Sequence, residues 1–167
     1  LNRLDHNRAL NQVSQKLGVD ITKIRKVTIW GNRSAHLYAD LSNAMVGDKK
    51  VEELINDENY IQKDFINGVQ QRGAEVLYQK KKPAVLSGAT AVCDHLKNWF
   101  FGTPKDDWVS MGVVSDGSYG VPEGLMFSFP TVCENAGYTI VPGLELSDFA
   151  KEKLQIAIDE LVDERDE

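Results

Sequence analysis

Asp5 and Arg8 stand three residues apart in Leu4-Asp5-His6-Asn7-Arg8-Ala9. On a helix that spacing puts both side chains on one face, a turn apart. A carboxylate beside a guanidinium can orient a third polar group and clamp an anion, because the planar guanidinium presents paired donors that match a carboxylate. Taken alone, the pair reads better as a surface ion pair worth less than about 1 kcal/mol. A second stretch, Trp30-Gly31-Asn32-Arg33-Ser34, brings another guanidinium into play. His6, His36 and His95 lack metal-ligand spacing such as H-x-x-x-H and read as local polar or surface residues. If the chain runs extended from Arg33, His36 faces away from it. Cys93 and Cys133 form no C-x-x-C pair and are too few for a disulfide framework or a zinc site. Asp106-Asp107 and Asp163-Glu164 read as solvated acids, and Lys80-Lys81-Lys82 as a helix end rather than a polyanion site.

The elements that must hold these residues follow from periodicity. Leu4, Leu10, Val13 and Leu17 recur at helical spacing over 1–17, and Gly18 stops the helix. Val19 to Arg25 reads as a loop with Asp20 as a cap, and Val27-Thr28-Ile29-Trp30 as a strand entering the Arg33 loop. Gly47-Asp48 suits a hairpin turn, and a short helix is expected over 52–56. A longer helix runs from about Asn59 to Lys80-Lys82, with Ile61, Phe65, Val69 and Val76 on one stripe and a bend expected at Gly68 or Gly73. The next helix covers 87–101, with Ala91, Val92, Leu96 and Trp99 as its apolar face. Three strands (108–114, 125–132, 138–141) and a final amphipathic helix over 148–162 complete the chain, ahead of a solvated tail at 163–167. The fold class is α+β, one domain over 1–167, with antiparallel strands and helices packed to one side.

Composition narrows the functions. Hydrophobic residues make up 42% and charged residues 26% of the 167, a globular rather than disordered balance. A net charge of -6 argues against nucleic acid and anionic membrane as partners. No apolar run approaches a membrane span and no signal-peptide layout opens the chain, so a reducing, cytoplasmic setting fits. A start at Leu1, directly in helical sequence, suggests a piece of a longer protein.

L-D-H-N-R-A followed by I-W-G-N-x-S resembles the substrate-binding, C-terminal half of the NAD-dependent malate dehydrogenases, in the lactate/malate dehydrogenase family. Gln70-Gln71-Arg72-Gly73-Ala74, Gly102-Thr103-Pro104, Asp107-Trp108-Val109-Ser110-Met111-Gly112-Val113, Tyr119-Gly120-Val121-Pro122, Phe127-Ser128-Phe129-Pro130 and Asp148-Phe149-Ala150 follow in that family's order and look like its cytoplasmic branch. The resemblance implies interconversion of malate and oxaloacetate, with Asp5 orienting a catalytic His and Arg8 gripping a substrate carboxylate. The position of that His is Arg33, which does not release its proton at any accessible pH and cannot serve as the base. A substrate-facing Ser of the family falls in Pro83-Ala84-Val85, at Ala84, and the Ser/Thr-rich run with a Pro before Asp40 is replaced by Ser34-Ala35-His36-Leu37-Tyr38-Ala39.

The sequence contains no G-x-G-x-x-G after a strand and no P-loop. NAD, which the resemblance implies, would be held mainly by an N-terminal Rossmann half, and none is expected to bind this chain alone. Three functions are consistent with these residues. The first is a malate dehydrogenase C-terminal domain without turnover of its own. The second is a pseudoenzyme domain with a structural or assembly role, and the third a non-catalytic dicarboxylate-binding module in which Arg8 and Arg33 face one pocket. A homodimer or larger assembly is expected, since lack of the other half would leave an apolar face.

Overall fold

A computed structural model describes residues 2–167. Leu1, the first residue of the expected opening helix, lies outside them. The chain opens with α1 (Asn2–Leu17), which buries Leu4, Ala9 and Val13, the apolar stripe its spacing requires, and ends at Gly18 in the left-handed region. A single 3-10 turn over Ile21–Lys23 follows, capped by the Asp20 carboxylate on the Thr22 amide at 2.8 Å. The stretch expected as loop then contains a two-residue strand, β1 (Ile24–Arg25), too short to carry a periodic signal.

β2 (Thr28–Trp30) pairs antiparallel with β3 (Tyr38–Asp40). β3 is absent from the sequence reading, and its cause is tertiary. Ala39 and Asp40 are poor strand formers, but Asp40 is buried and accepts from the Trp30 indole at 3.0 Å and the Ser42 amide at 2.9 Å. β4 (Met45–Val46) and β5 (Lys49–Lys50) form the expected hairpin, and β4 also pairs with β1.

Three helices come next: α2 (Val51–Ile55), α3 (Ile66–Lys80) and α4 (Val85–Phe101). The irregularity expected at Gly68 or Gly73 falls earlier, as a π-helical turn over Tyr60–Phe65 that leads into α3. α4 starts at Val85, two residues before the expected start, and its apolar face is narrower than expected. Ala91 is buried and Trp99 partly so, but Val92 and Leu96 stay exposed.

The main sheet is β6 (Val109–Val114), β7 (Met126–Glu134) and β8 (Gly137–Ile140), antiparallel throughout. Val109, Met111 and Val113 of β6 are buried while Gly112 and Val114 are exposed, the alternation of a half-buried strand. α5 (Asp148–Asp166) buries Leu154, Ala157, Ile158 and Leu161 and continues four residues past the expected end, still with an exposed last turn. α1 touches α3, α4, β2 and β6, so it links the helices to the sheets.

Gly31 fixes how the Arg33 loop leaves this core. It exchanges backbone hydrogen bonds with Ser128 of β7, at 3.4 and 3.0 Å. Its φ is +87°, and an added Cβ would lie 2.8 Å from the Ala157 Cβ on α5. The conformation and the contact both require glycine. Gly31→Val is expected to destabilise the protein by about 2–4 kcal/mol, from backbone strain and overpacking together. A urea melt checks this, and a change below about 1 kcal/mol would show that the loop is not held as described.

Candidate functional site

Asp5 sits on the buried face of α1, its side chain only 3% exposed. Helical spacing brings Arg8 back onto it, with Arg8 Nη1 donating to Asp5 Oδ1 at 3.0 Å. From the other side the β2–β3 loop delivers Arg33, whose Nε donates to Asp5 Oδ2 at 3.0 Å. Each carboxylate oxygen therefore accepts from a different guanidinium. Arg8 is largely covered, with 11% of its side chain exposed, whereas Arg33 remains 41% exposed. Burial pushes the Asp5 carboxyl up, and Arg33 and Arg8 pull it back toward the ionised form. Burial also draws the Arg8 guanidinium below its usual value; Asp5 opposes that, and the nearby Arg33 and Arg72 add to it.

The loop bearing Arg33 is tethered at several points. Asn32 Oδ1 accepts from the Arg33 amide at 2.7 Å. Glu160 on α5 accepts from the Ser34 hydroxyl at 2.6 Å and contacts His36 Nδ1 at 3.2 Å. His36 thus turns to Glu160 on α5, although the stretch bends and turns over 33–36 instead of running extended. Gln70 on α3 donates to the Leu37 carbonyl at 2.6 Å and closes the loop's far end. Gln70 and Glu160 are the positioning residues that sequence reasoning missed. Glu160 lies in an acid-rich helix end where nothing separates it from solvated neighbours. Gln70 belongs to a motif already singled out, but only the fold reveals its carbonyl partner.

The two arginines do not open into one pocket. Arg33 lines a hollow of about 250 Å³ with Asp5, Ser34, Leu37 and Gln70. Arg8 lines a separate one of about 740 Å³, and Ala84 lies in that second hollow. The expectation that Arg8 and Arg33 jointly face a dianion is corrected accordingly: Asp5 stands between them, taking one guanidinium from each side. What is brought together is Asp5–Arg8–Arg33 as a bridge, and Arg8 with Ala84 as neighbours along one hollow.

The other singled-out residues resolve as structural. His6 is buried against Ser110, Nδ1 to Oγ 3.1 Å, and burial lowers its pKa to about 3. Asp107 is not a solvated turn acid as expected. It is half-buried and accepts from the Lys26 and Trp108 amides at 2.7 and 2.8 Å. Cys93 and Cys133 are both free thiols, the first exposed and the second buried. Among the described residues, no group of three or more His, Cys, Asp or Glu side chains is placed to hold a metal. No described helix is long and apolar enough to cross a membrane.

The described strands pair only antiparallel. A dinucleotide site of the doubly wound type needs parallel strands with a helix N-terminus at their carboxyl ends. The described strands build no cradle of that kind.

The chain belongs to the lactate/malate dehydrogenase family: residues 2–167 match its alpha/beta C-terminal domain. Its relatives include the cytoplasmic malate dehydrogenase 3 of Arabidopsis thaliana, 48% identical over 99% of this chain and 50% of that protein. The malate dehydrogenase of Nicotiana tabacum is 46% identical over 99% of this chain and 51% of its own length. Among solved structures, the malate dehydrogenase of Naegleria fowleri superposes with a TM-score of 0.93 at 38% identity, covering 99% of this chain and 51% of that one. The Trichomonas vaginalis lactate dehydrogenase in complex with NADH and oxamate gives 0.94 at 32% identity, over 99% of this chain and 52% of that one. The chain spans about half the length of the relatives it matches.

Proposed function

We propose that residues 1–167 are one domain, the substrate-binding half of a malate dehydrogenase-type protein, and that this half binds a dicarboxylate without turning it over. The observation that carries this reading is the Arg33–Asp5 bridge. Malate oxidation needs a group that accepts the hydroxyl proton near neutral pH while hydride leaves. In the family that group is a His held by the Asp; here the Asp holds a guanidinium, which keeps its proton. Ala84 supplies no hydroxyl to the Arg8 hollow. Arg8, fixed by Asp5 and largely buried, retains the donors that a carboxylate needs. The Trichomonas relative's complex with oxamate, a monocarboxylate, and with NADH supports a carboxylate as the ligand's anchoring group and NAD as the cofactor of the complete protein. That cofactor belongs to a nucleotide-binding half beyond these residues. The names of the plant relatives support a cytoplasmic setting.

A second reading, a structural or assembly role as a pseudoenzyme domain, is favoured by one observation. Val85, Leu86, Phe100 and Phe101 of α4 are exposed, Leu86 and Phe101 at 84% and 87%. Such a row suits a homodimer or a larger assembly.

Ligand binding separates these readings. Malate or oxaloacetate at millimolar concentration is expected to raise the melting temperature, and Arg8→Gln to abolish the shift while leaving the fold intact. No shift in the unmodified protein would overturn the dicarboxylate reading and leave the assembly role.

A further inference from the structure

The Lys80–Lys82 run reads in the sequence as a helix end, but the fold turns it toward the Arg8 hollow. Lys80 and Lys82 line that 740 Å³ space together with Arg8 and Arg72, and no Asp or Glu is among its lining residues. We propose that this groove is a binding site for a small phosphate-bearing polyanion carrying three or more negative charges. The inference rests on the proposed placement of Arg8 against a ligand anion and names a further ligand class for that hollow.

The charges decide the class. Arg8 shares the Asp5 carboxylate with Arg33, and Arg72 is paired with Glu75 at 2.7 Å, so each arginine is partly neutralised. Among the described residues, Lys80 and Lys82 form no ion pair, which leaves an excess of positive charge around one opening. Arg72 lies close enough to Arg8 to oppose its protonation. An anion seated between them relieves that repulsion. The chain as a whole is acidic, at -6, so this local excess runs against the bulk field and is not a by-product of a basic protein.

A dicarboxylate satisfies Arg8 and one further cation. A polyphosphate offers charged oxygens to more of the four cations that line the hollow, and ammonium groups suit those oxygens as point charges. Neutral donors from Asn11, Gln79 and Ser87 line the same space, beside the apolar side chains of Val76 and the exposed Leu86. The hollow lies within the size range of small-molecule sites. The start of α4, where Ala84 provides no side-chain cap and no acid occupies the first turn, opens into it and adds to the attraction. The four cations carry the argument.

Inorganic tripolyphosphate is the probe, titrated calorimetrically into the unmodified chain and compared with malate at matched ionic strength. Tripolyphosphate is expected to bind at least 10-fold tighter than malate, and to weaken as NaCl is added. The exposed-residue double variant Lys80→Gln/Lys82→Gln should weaken tripolyphosphate at least 10-fold and malate less than 3-fold. Tripolyphosphate binding no tighter than malate, or unaffected by the double variant, would overturn the site. Tight tripolyphosphate binding without malate binding would sustain it and remove only the dicarboxylate reading.

Discussion

Replacing Arg33 with His, in this chain joined to a nucleotide-binding half from a relative, is expected to raise oxaloacetate-dependent NADH oxidation about 10²–10⁴-fold above the blank rate at which the unmodified chain stays. The size follows from what a positioned acid–base group contributes when its pKa lies near the working pH. Asp5 is already in place for it. Its carboxylate is buried, Arg8 holds one oxygen, and the other, Oδ2, accepts from residue 33 at 3.0 Å. An imidazole there would donate one ring N–H to Asp5 and keep its other nitrogen for the substrate. The loop needs no rebuilding, because Gly31, Asn32, Ser34 and Gln70 hold it through their own bonds. Recovery should be accompanied by a pH profile with an inflection near neutrality. If Arg33→His remains at the blank rate, the loss extends to Ala84 and the 34–39 segment, and adding Ala84→Ser is the next variant.

Acid should unfold this protein early, and His6 is the reason. Its ring is buried, its pKa is lowered from 6.5 to about 3, and the cause is burial, with Arg3 adding repulsion. The Ile29 amide donates to Ser110 Oγ at 2.9 Å, which leaves the hydroxyl proton for His6 Nδ1. Protonating Nδ1 would set two donors against each other in a dry site. Between pH 6.5 and 3 the unfolded chain binds a proton at this position and the folded one does not, so stability falls as pH falls. His6 therefore contributes stability that is fully present above about pH 6.5 and declines by roughly 1.4 kcal/mol per unit below it. About 3 kcal/mol is lost by pH 4, a large fraction of the stability of an ordinary domain. Asp5 and Asp107, whose carboxyls burial pushes up, act with the opposite sign at and above the ordinary carboxylate range, so the His6 slope is cleanest between pH 6.5 and 5. Urea midpoints measured across that window should drop with pH in the native sequence and flatten in His6→Gln. Parallel slopes in the two proteins would contradict the assignment.

Helices and hairpins were legible in the sequence because their signals are local. α1, the Gly47–Asp48 turn and the alternating β6 all follow from spacing and turn chemistry. β3 was not legible: Tyr38-Ala39-Asp40 becomes a strand only because the Trp30 indole and the Ser42 amide satisfy a buried carboxylate. The exposure of Val92 and Leu96 on α4 was equally hidden, since helical periodicity shows which residues share a face but not whether anything covers it. At the site, spacing alone joined Asp5 to Arg8, and the resemblance added Arg33 across 28 residues of sequence. Two features arise only in the folded chain. One is that Asp5 divides the arginines between two hollows, and the other is that Glu160 and Gln70 anchor the loop from separate helices.

The proposal stands on a side chain that stays charged where a proton must move. The assay that reaches it most directly joins the unmodified chain to a nucleotide-binding half and follows NADH absorbance with oxaloacetate from pH 5 to 9. No oxidation above the blank at any pH is the expected result. Turnover that rises or falls through a group titrating near pH 7 would show that a proton shuttle survives beside Asp5, and the reading of Arg33 as a silent replacement would be wrong.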